Sequence, residues 1–303
     1  MRTYRFVQVD VFGFGPFTGN PLAVFPEAQG LSDAEMQSIA REMNLSETTF
    51  VLPPTDPRAA YWMRVFTPAK EIPFAGHPSV GTAYVMACAG RFPLHEPVTR
   101  IFQEVEIGTL PLDVEVADGK PGRVVMTQGA PSFGAVLRDL TPVADALGLD
   151  PLILARAKLP IQAVSTGLEH LMVPVPDLKS MAALRPNLSA LDVVLRDRGA
   201  LGCFVFTLET ISSDAFAHAR MFAPGAGVPE DPATGSAAGP LGAYLAVHGI
   251  LPRERESFVI EQGIEMGRPS RIWVEVSRDA AGLPTTIRVG GSTVPVIRGT
   301  ITA

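Results

Sequence analysis

Cysteine is almost missing from this chain: its 303 residues include only Cys88 and Cys203. Two cysteines in a chain of this length exclude a disulfide framework. Long hydrophobic runs are missing too, since no stretch approaches the roughly 20 apolar residues of a membrane-spanning helix. There is no Lys/Arg-rich run, and the formal net charge is −6. A nucleic-acid or anionic-membrane partner is therefore not expected. The opening residues, Met1-Arg2-Thr3-Tyr4-Arg5-Phe6, lead into a strand pattern without a secretory h-region. The five histidines, at 77, 95, 170, 218 and 248, lack the paired spacing of metal ligands. Gly13-Phe14-Gly15-Pro16 is not a dinucleotide fingerprint, and Gly235-Ser236-Ala237-Ala238-Gly239 is not a hydrolase nucleophile elbow. These absences lead us to expect a cytoplasmic enzyme with no metal site and no bound nucleotide.

The dominant positive signal is an internal repeat. Arg64-Val65-Phe66-Thr67-Pro68 returns as Arg220-Met221-Phe222-Ala223-Pro224. Further on, Gly76, Gly90, Gln103, Glu106 and Gly108 recur as Gly235, Gly249, Gln262, Glu265 and Gly267, all at an offset of 159. Thr18 to Phe25 matches Thr166 to Val173 at an offset of 148, and Phe50-Val51 matches Phe204-Val205 at 154. Offsets that grow in chain order are what small loop insertions in a duplicated fold produce. The length allows two domains with a core each. The expected division is residues 1–127, with a returning strand at 286–303, and residues 128–285.

Period-two alternation predicts strands at Val7–Phe12, Leu22–Phe25, Thr48–Leu52 and Tyr61–Phe66. In the second half it predicts them at Leu171–Val175, Cys203–Leu208, Ala215–Phe222, Phe258–Ile264 and Ile272–Val276. Ser32 and Glu35 form a capping box at a helix start. Two helices, Ser79–Ala89 and Ser236–Val247, are apolar nearly all round, and such helices are buried. The expected fold is α+β, in two pseudo-symmetric halves. Each is a curved, mostly antiparallel, barrel-like sheet around a central helix. Cys88 and Cys203 are expected to be packing residues. Segments 27–29, 53–58 and 133–138 are expected to be loops that could shape a pocket.

Each central helix starts at a glycine, Gly76 before His77-Pro78 and Gly235 before Ser236. The first N–H groups of a helix have no partner within it, and the helix dipole adds partial positive charge. Such starts can hold a carboxylate or a developing enolate. Glu47, between a helix end and an apolar strand, has the surroundings of a general base, although an isolated Glu at a strand start is more often simply solvated. His77 could move a proton near neutral pH. Asp231, before Pro232, is either a turn residue or an acid beside the second helix start.

Val9 to Phe12, Gly19 to Val24, Ser46 to Phe50, Phe74 to Pro78 and Asp231 to Ala237 together resemble the PhzF family of phenazine-biosynthesis-like proteins. Gln262-Gly263, Met266 to Ser270 and Val289 to Gly291 extend the resemblance over nearly the whole chain. It implies the diaminopimelate epimerase fold, an active site between the halves, cofactor-free isomerisation and a homodimer. It implies that Glu47 is the catalytic glutamate, that His77, Asp231 and Ser236 surround the substrate, and that Gly76 and Gly235 supply backbone donors. The implied substrate is a small cyclic or unsaturated carboxylic acid, trans-2,3-dihydro-3-hydroxyanthranilate or an analogue. Racemases of this fold carry a cysteine before each helix-start glycine, where this chain has Ala75 and Thr234, so a two-thiol racemase is disfavoured. A non-catalytic carboxylate-binding protein on the same scaffold remains the alternative.

Overall fold

The computed structural model describes residues 2–303. The chain divides into two compact units, one running to Thr127 and including Gly290–Ala303, the other spanning Gln128–Val289.

The first unit contains β1 (Thr3–Val11), β2 (Asn20–Phe25), α1 (Asp33–Met43), β3 (Glu47–Leu52), β4 (Tyr61–Phe66) and β5 (Glu71–Ile72). It continues with α2 (Gly76–Cys88), β6 (Val98–Val105), β7 (Gly108–Ala117) and β8 (Lys120–Thr127), and β18 (Thr293–Thr302) returns to it. β1 lies antiparallel to both β2 and β18, and β2 is parallel to β3. β4 is antiparallel to β3 and β5 and parallel to β6, after which β6, β7 and β8 run as an antiparallel meander.

In the second unit come β9 (Ser132–Val136), α3 (Thr141–Leu147), α4 (Pro151–Arg156), β10 (Gln162–Ser165), β11 (Glu169–Pro174), α5 (Leu178–Ala183) and α6 (Leu188–Arg196). β12 (Gly202–Thr207), β13 (Ala217–Ala223), β14 (Val228–Asp231), α7 (Gly235–Val247), β15 (Ser257–Gln262), β16 (Ser270–Arg278) and β17 (Pro284–Gly291) follow, the end of β17 from Gly290 on belonging to the first unit. The pairing repeats the first unit step for step: β9–β10–β11 antiparallel, β11 parallel to β12, then β12–β13–β14 antiparallel. β13 is parallel to β15, and β15 is antiparallel to β16. In both units a helical crossover separates the first parallel pair, as parallel strands require.

The central helices α2 and α7 are 13 residues each and start 159 positions apart. Almost every side chain of α2 is buried, because its sheet wraps it through contacts with β1, β2, β3, β4, β7, β8 and β18. α7 packs in the same way on β10, β11 and β16. Small residues permit the close approach. A Cβ on Gly81 would stand 2.6 Å from Val11 and 2.7 Å from Leu22, and one on Gly242 would stand 2.7 Å from Val274.

Several sequence expectations need correction. α2 starts at Gly76 rather than Ser79, because proline is tolerated in a first turn whose N–H groups have no helical partner anyway. The Ser32–Glu35 capping box forms as expected. The segment expected as a loop at 133–138 contains β9, whose side chains are all exposed and so carry no alternation. α3, α4 and α5 are only six or seven residues long and gave no sequence signal. Cys203 is buried, but Cys88 is exposed at the end of α2 and does not pack in the core. Phe50 lies opposite Arg64, whereas Arg220 lies opposite Val205, so the structural partner of Phe50 is Val205, one residue beyond the sequence match.

Candidate functional site

The site residues fall into two clusters, one at the start of each central helix. In the first unit α1 ends at Asn44, which adopts the left-handed conformation (φ 50°) and turns the chain into β3. Glu47 is the first residue of β3 and pairs in parallel register with Leu22. Strand alternation puts Glu47 on the same face as Thr49, and Thr49 meets Thr82 of α2 at 2.8 Å. Glu47 therefore faces the central helix. Its Oε2 lies 3.4 Å from Nε2 of His77, the second residue of α2. The two side chains are only 16% and 8% exposed. Burial raises the proton affinity of Glu47, while the Ser46 hydroxyl acts weakly against that shift. Ser46 Oγ also lies 3.3 Å from Asn20 Oδ1.

Ala75, the N-cap of α2, has no side chain that can cap the helix. Ser79 in the first turn donates to the Ala75 carbonyl at 3.0 Å. Gln103 on β6 donates to Ser79 Oγ at 3.0 Å and accepts from the Tyr61 hydroxyl at 2.9 Å.

In the second unit Asp231 closes β14, opposite Met221. Thr234 is the N-cap of α7, but its hydroxyl donates to Asp231 Oδ2 instead of capping the helix. Gln262 binds the same turn three times: its Oε1 accepts from Thr234 N at 3.1 Å, and its Nε2 donates to the Asp231 carbonyl at 2.7 Å and to Thr234 Oγ1 at 3.0 Å. The Gly235 carbonyl accepts from Gln128 Nε2 at 2.9 Å, and Thr166 holds that amide at 2.6 Å. Ser236 is the second helical residue and half-buried.

Glu47 and His77 thus share one cluster with Gly76, while Asp231, Gly235 and Ser236 form the other. The roles of Gln103 and Gln262 were missed by sequence reasoning, although their recurrence in the repeat was the available signal. Arg64 and Arg220, also paired by the repeat, make bidentate ion pairs with Glu71 and Glu230 respectively. A recess of about 370 Å³ lies beside Trp62, Glu71 and Arg64. Its guanidinium is already committed to Glu71 and Asp33. Among the described residues no group of three or more His, Cys, Asp or Glu is placed to hold a metal ion, and no helix is long and apolar enough to cross a membrane.

Residues 9–299 match the family model described as phenazine biosynthesis-like protein. A trans-2,3-dihydro-3-hydroxyanthranilate isomerase of Pseudomonas chlororaphis is 39% identical over 298 residues, covering 98% of this chain and 99% of that one. An uncharacterized isomerase of Clostridium acetobutylicum is 36% identical over 302 residues, 98% of each chain. The crystal structure of a phenazine biosynthesis protein of the PhzF family from Bacillus anthracis superposes with a TM-score of 0.89 at 31% identity, over 100% of both chains. A probable proline racemase from Agrobacterium radiobacter, 14% identical, shares the fold with a TM-score of 0.68 over 99% of this chain and 93% of that one. The chain belongs to the phenazine biosynthesis-like family and is a PhzF-like isomerase.

Proposed function

We propose that the protein moves a proton between carbons of a small cyclic or unsaturated carboxylic acid without a cofactor. The carrying observation is Glu47, largely shielded at the start of a strand, raised in proton affinity and 3.4 Å from His77. A carboxylate in such surroundings binds a proton more tightly than one in water, which suits it to take a proton from carbon. Glu47 abstracts that proton and returns it elsewhere on the conjugated system. His77 hydrogen-bonds or protonates a substrate heteroatom. The first-turn N–H groups at Gly76 and Gly235 offer donors to negative charge, and Asp231 and Ser236 bind polar substituents. The substrate class follows the Pseudomonas relatives: trans-2,3-dihydro-3-hydroxyanthranilate, named for them, or an analogue. A homodimer in the cytoplasm belongs to the same reading.

Turnover of trans-2,3-dihydro-3-hydroxyanthranilate in deuterium oxide tests this. The wild type is expected to incorporate deuterium into the product at carbon. Glu47→Gln is expected to fold, to bind, and to lose at least about 100-fold in rate. Normal turnover by that variant would remove Glu47 as the base. Thermal stabilisation by the acid with no exchange in the wild type would instead identify a binding protein.

A further inference from the structure

We propose that Gln262 is a positioning residue: it fixes the direction of the Thr234 hydroxyl, committing its proton to Asp231. This rests on the reading that Asp231 acts on the substrate. The argument starts from one donor of unambiguous identity. Thr234 N is a backbone N–H and can only donate, so the Gln262 atom 3.1 Å away is the amide oxygen. The amide nitrogen then faces the Asp231 carbonyl at 2.7 Å and Thr234 Oγ1 at 3.0 Å, which uses both of its hydrogens. Thr234 Oγ1 therefore accepts from Gln262 and sends its own single proton to Asp231 Oδ2. Gln262 is fully buried and Thr234 is nearly so, so water does not compete for these bonds.

The first unit supports this independently. Gln103, at the repeat-equivalent position, donates to Ser79 Oγ, and Ser79 passes its proton to the Ala75 carbonyl. In both units a buried amide on a strand polarises a hydroxyl at the start of the central helix. In the first unit the chain ends on a neutral carbonyl, and in the second on a carboxylate. The consequence is chemical. Thr234 precedes the helix-start glycine, yet its hydroxyl has no proton to donate to substrate while it holds this geometry. Its contribution is to keep one oxygen of Asp231 occupied and the side chain fixed in place.

The test compares Gln262→Met, Thr234→Val and Thr234→Ser. Hydrogen exchange at the Thr234 amide is read without substrate, and kcat and KM are read with trans-2,3-dihydro-3-hydroxyanthranilate. In Gln262→Met, exchange at Thr234 is expected to accelerate at least about tenfold, with kcat falling about tenfold and KM moving less than about threefold. Thr234→Val is expected to lose a similar share of kcat, and Thr234→Ser to restore it. Unchanged Thr234 exchange in Gln262→Met overturns the clamp. So does a Thr234→Val protein with wild-type kcat, or a Thr234→Ser protein no better than the valine variant. If Gln262→Met does not fold, the valine and serine pair decides alone. A wild type inert toward the substrate would count against the proposed reaction, while the exchange measurement would still judge the clamp.

Discussion

Oε2 of Glu47 and Nε2 of His77 stand 3.4 Å apart at the mouth of helix α2, with both side chains almost closed to solvent. Burial is the larger influence on the Glu47 carboxyl, and it holds the proton above the ordinary value of 4.5. The unfolded chain releases that proton first, so folding stability falls as pH rises from about 4.5 through the folded value. Glu47→Gln removes the charge and keeps the shape. It is expected to be more stable than the wild type at pH 8 by about 0.5–2 kcal/mol, the usual gain when a strained functional group is neutralised. The two should converge below pH 4.5. Urea melts across pH measure this, and a variant less stable at pH 8 would contradict the burial argument. The acid limb of kcat/KM in the wild type is expected above pH 4.5, because the carboxylate is the active form.

The repeated arginines predict an unequal pair of stability losses. Arg220 is 10% exposed, binds Glu230 at 2.8 and 2.9 Å, and donates to the Met181 carbonyl at 3.1 Å. Its removal strands a largely buried carboxylate and a buried carbonyl. Arg64 also holds Glu71, but its second partner, Asp33, is 81% exposed and can hydrate freely. Arg220→Met is expected to cost about 2–4 kcal/mol and Arg64→Met about 1 kcal/mol. Equal losses in chemical denaturation would refute the difference.

Legibility of the sequence tracked burial and repetition. The strand at Tyr61–Phe66 was bounded correctly because it alternates between a buried and a more open face. α2 and α7 were legible because they are apolar all round and repeat each other. β9 was not, since a strand with every side chain in solvent has no period to read. The short helices α3 to α5 are set by contacts with the core of the second unit, where Val143, Leu154 and Met181 pack together. At the site, Glu47 and the helix-start glycines stood out by residue type and place. The Gln262 clamp was marked only by the recurrence of Gln103 as Gln262, which gives the position but not the three hydrogen bonds made there.

A buried histidine should give the fold an acid limit. His170 on β11 is fully buried, and neither ring nitrogen has a hydrogen-bond partner. Burial pushes its pKa down to about 4 from 6.5. The unfolded imidazole gains a proton below pH 6.5 that the folded one refuses until about pH 4, so stability is lost as pH falls through that window. Leu22 holds the matching place in the repeat and is buried equally. His170→Leu is therefore expected to fold and, at pH 5, to exceed the wild type by about 2 kcal/mol, the free energy of roughly 1.5 pK units. Between pH 7 and 5 the stability of the variant should fall less steeply than that of the wild type. Parallel curves would mean that His170 does not titrate as its burial requires.

Thiol chemistry offers the sharpest separation from the racemases that share this fold. The N-caps of the two central helices are Ala75 and Thr234, and neither can supply a thiolate. Cys88 is the exposed thiol, and partial burial of its sulfur raises its pKa. Cys203 is sealed in β12, and burial pushes its thiol well above the ordinary value. A thiol reagent should thus modify one cysteine in the native protein and two after unfolding. Cys203→Ala should cost about 1 kcal/mol, because a small buried side chain is removed from a packed strand. The double variant Cys88→Ala/Cys203→Ala should keep kcat/KM within about threefold of the wild type, since no proton in the proposed reaction travels through sulfur. Abolished turnover in a folded double variant would put a thiol in the chemistry and displace Glu47 from it.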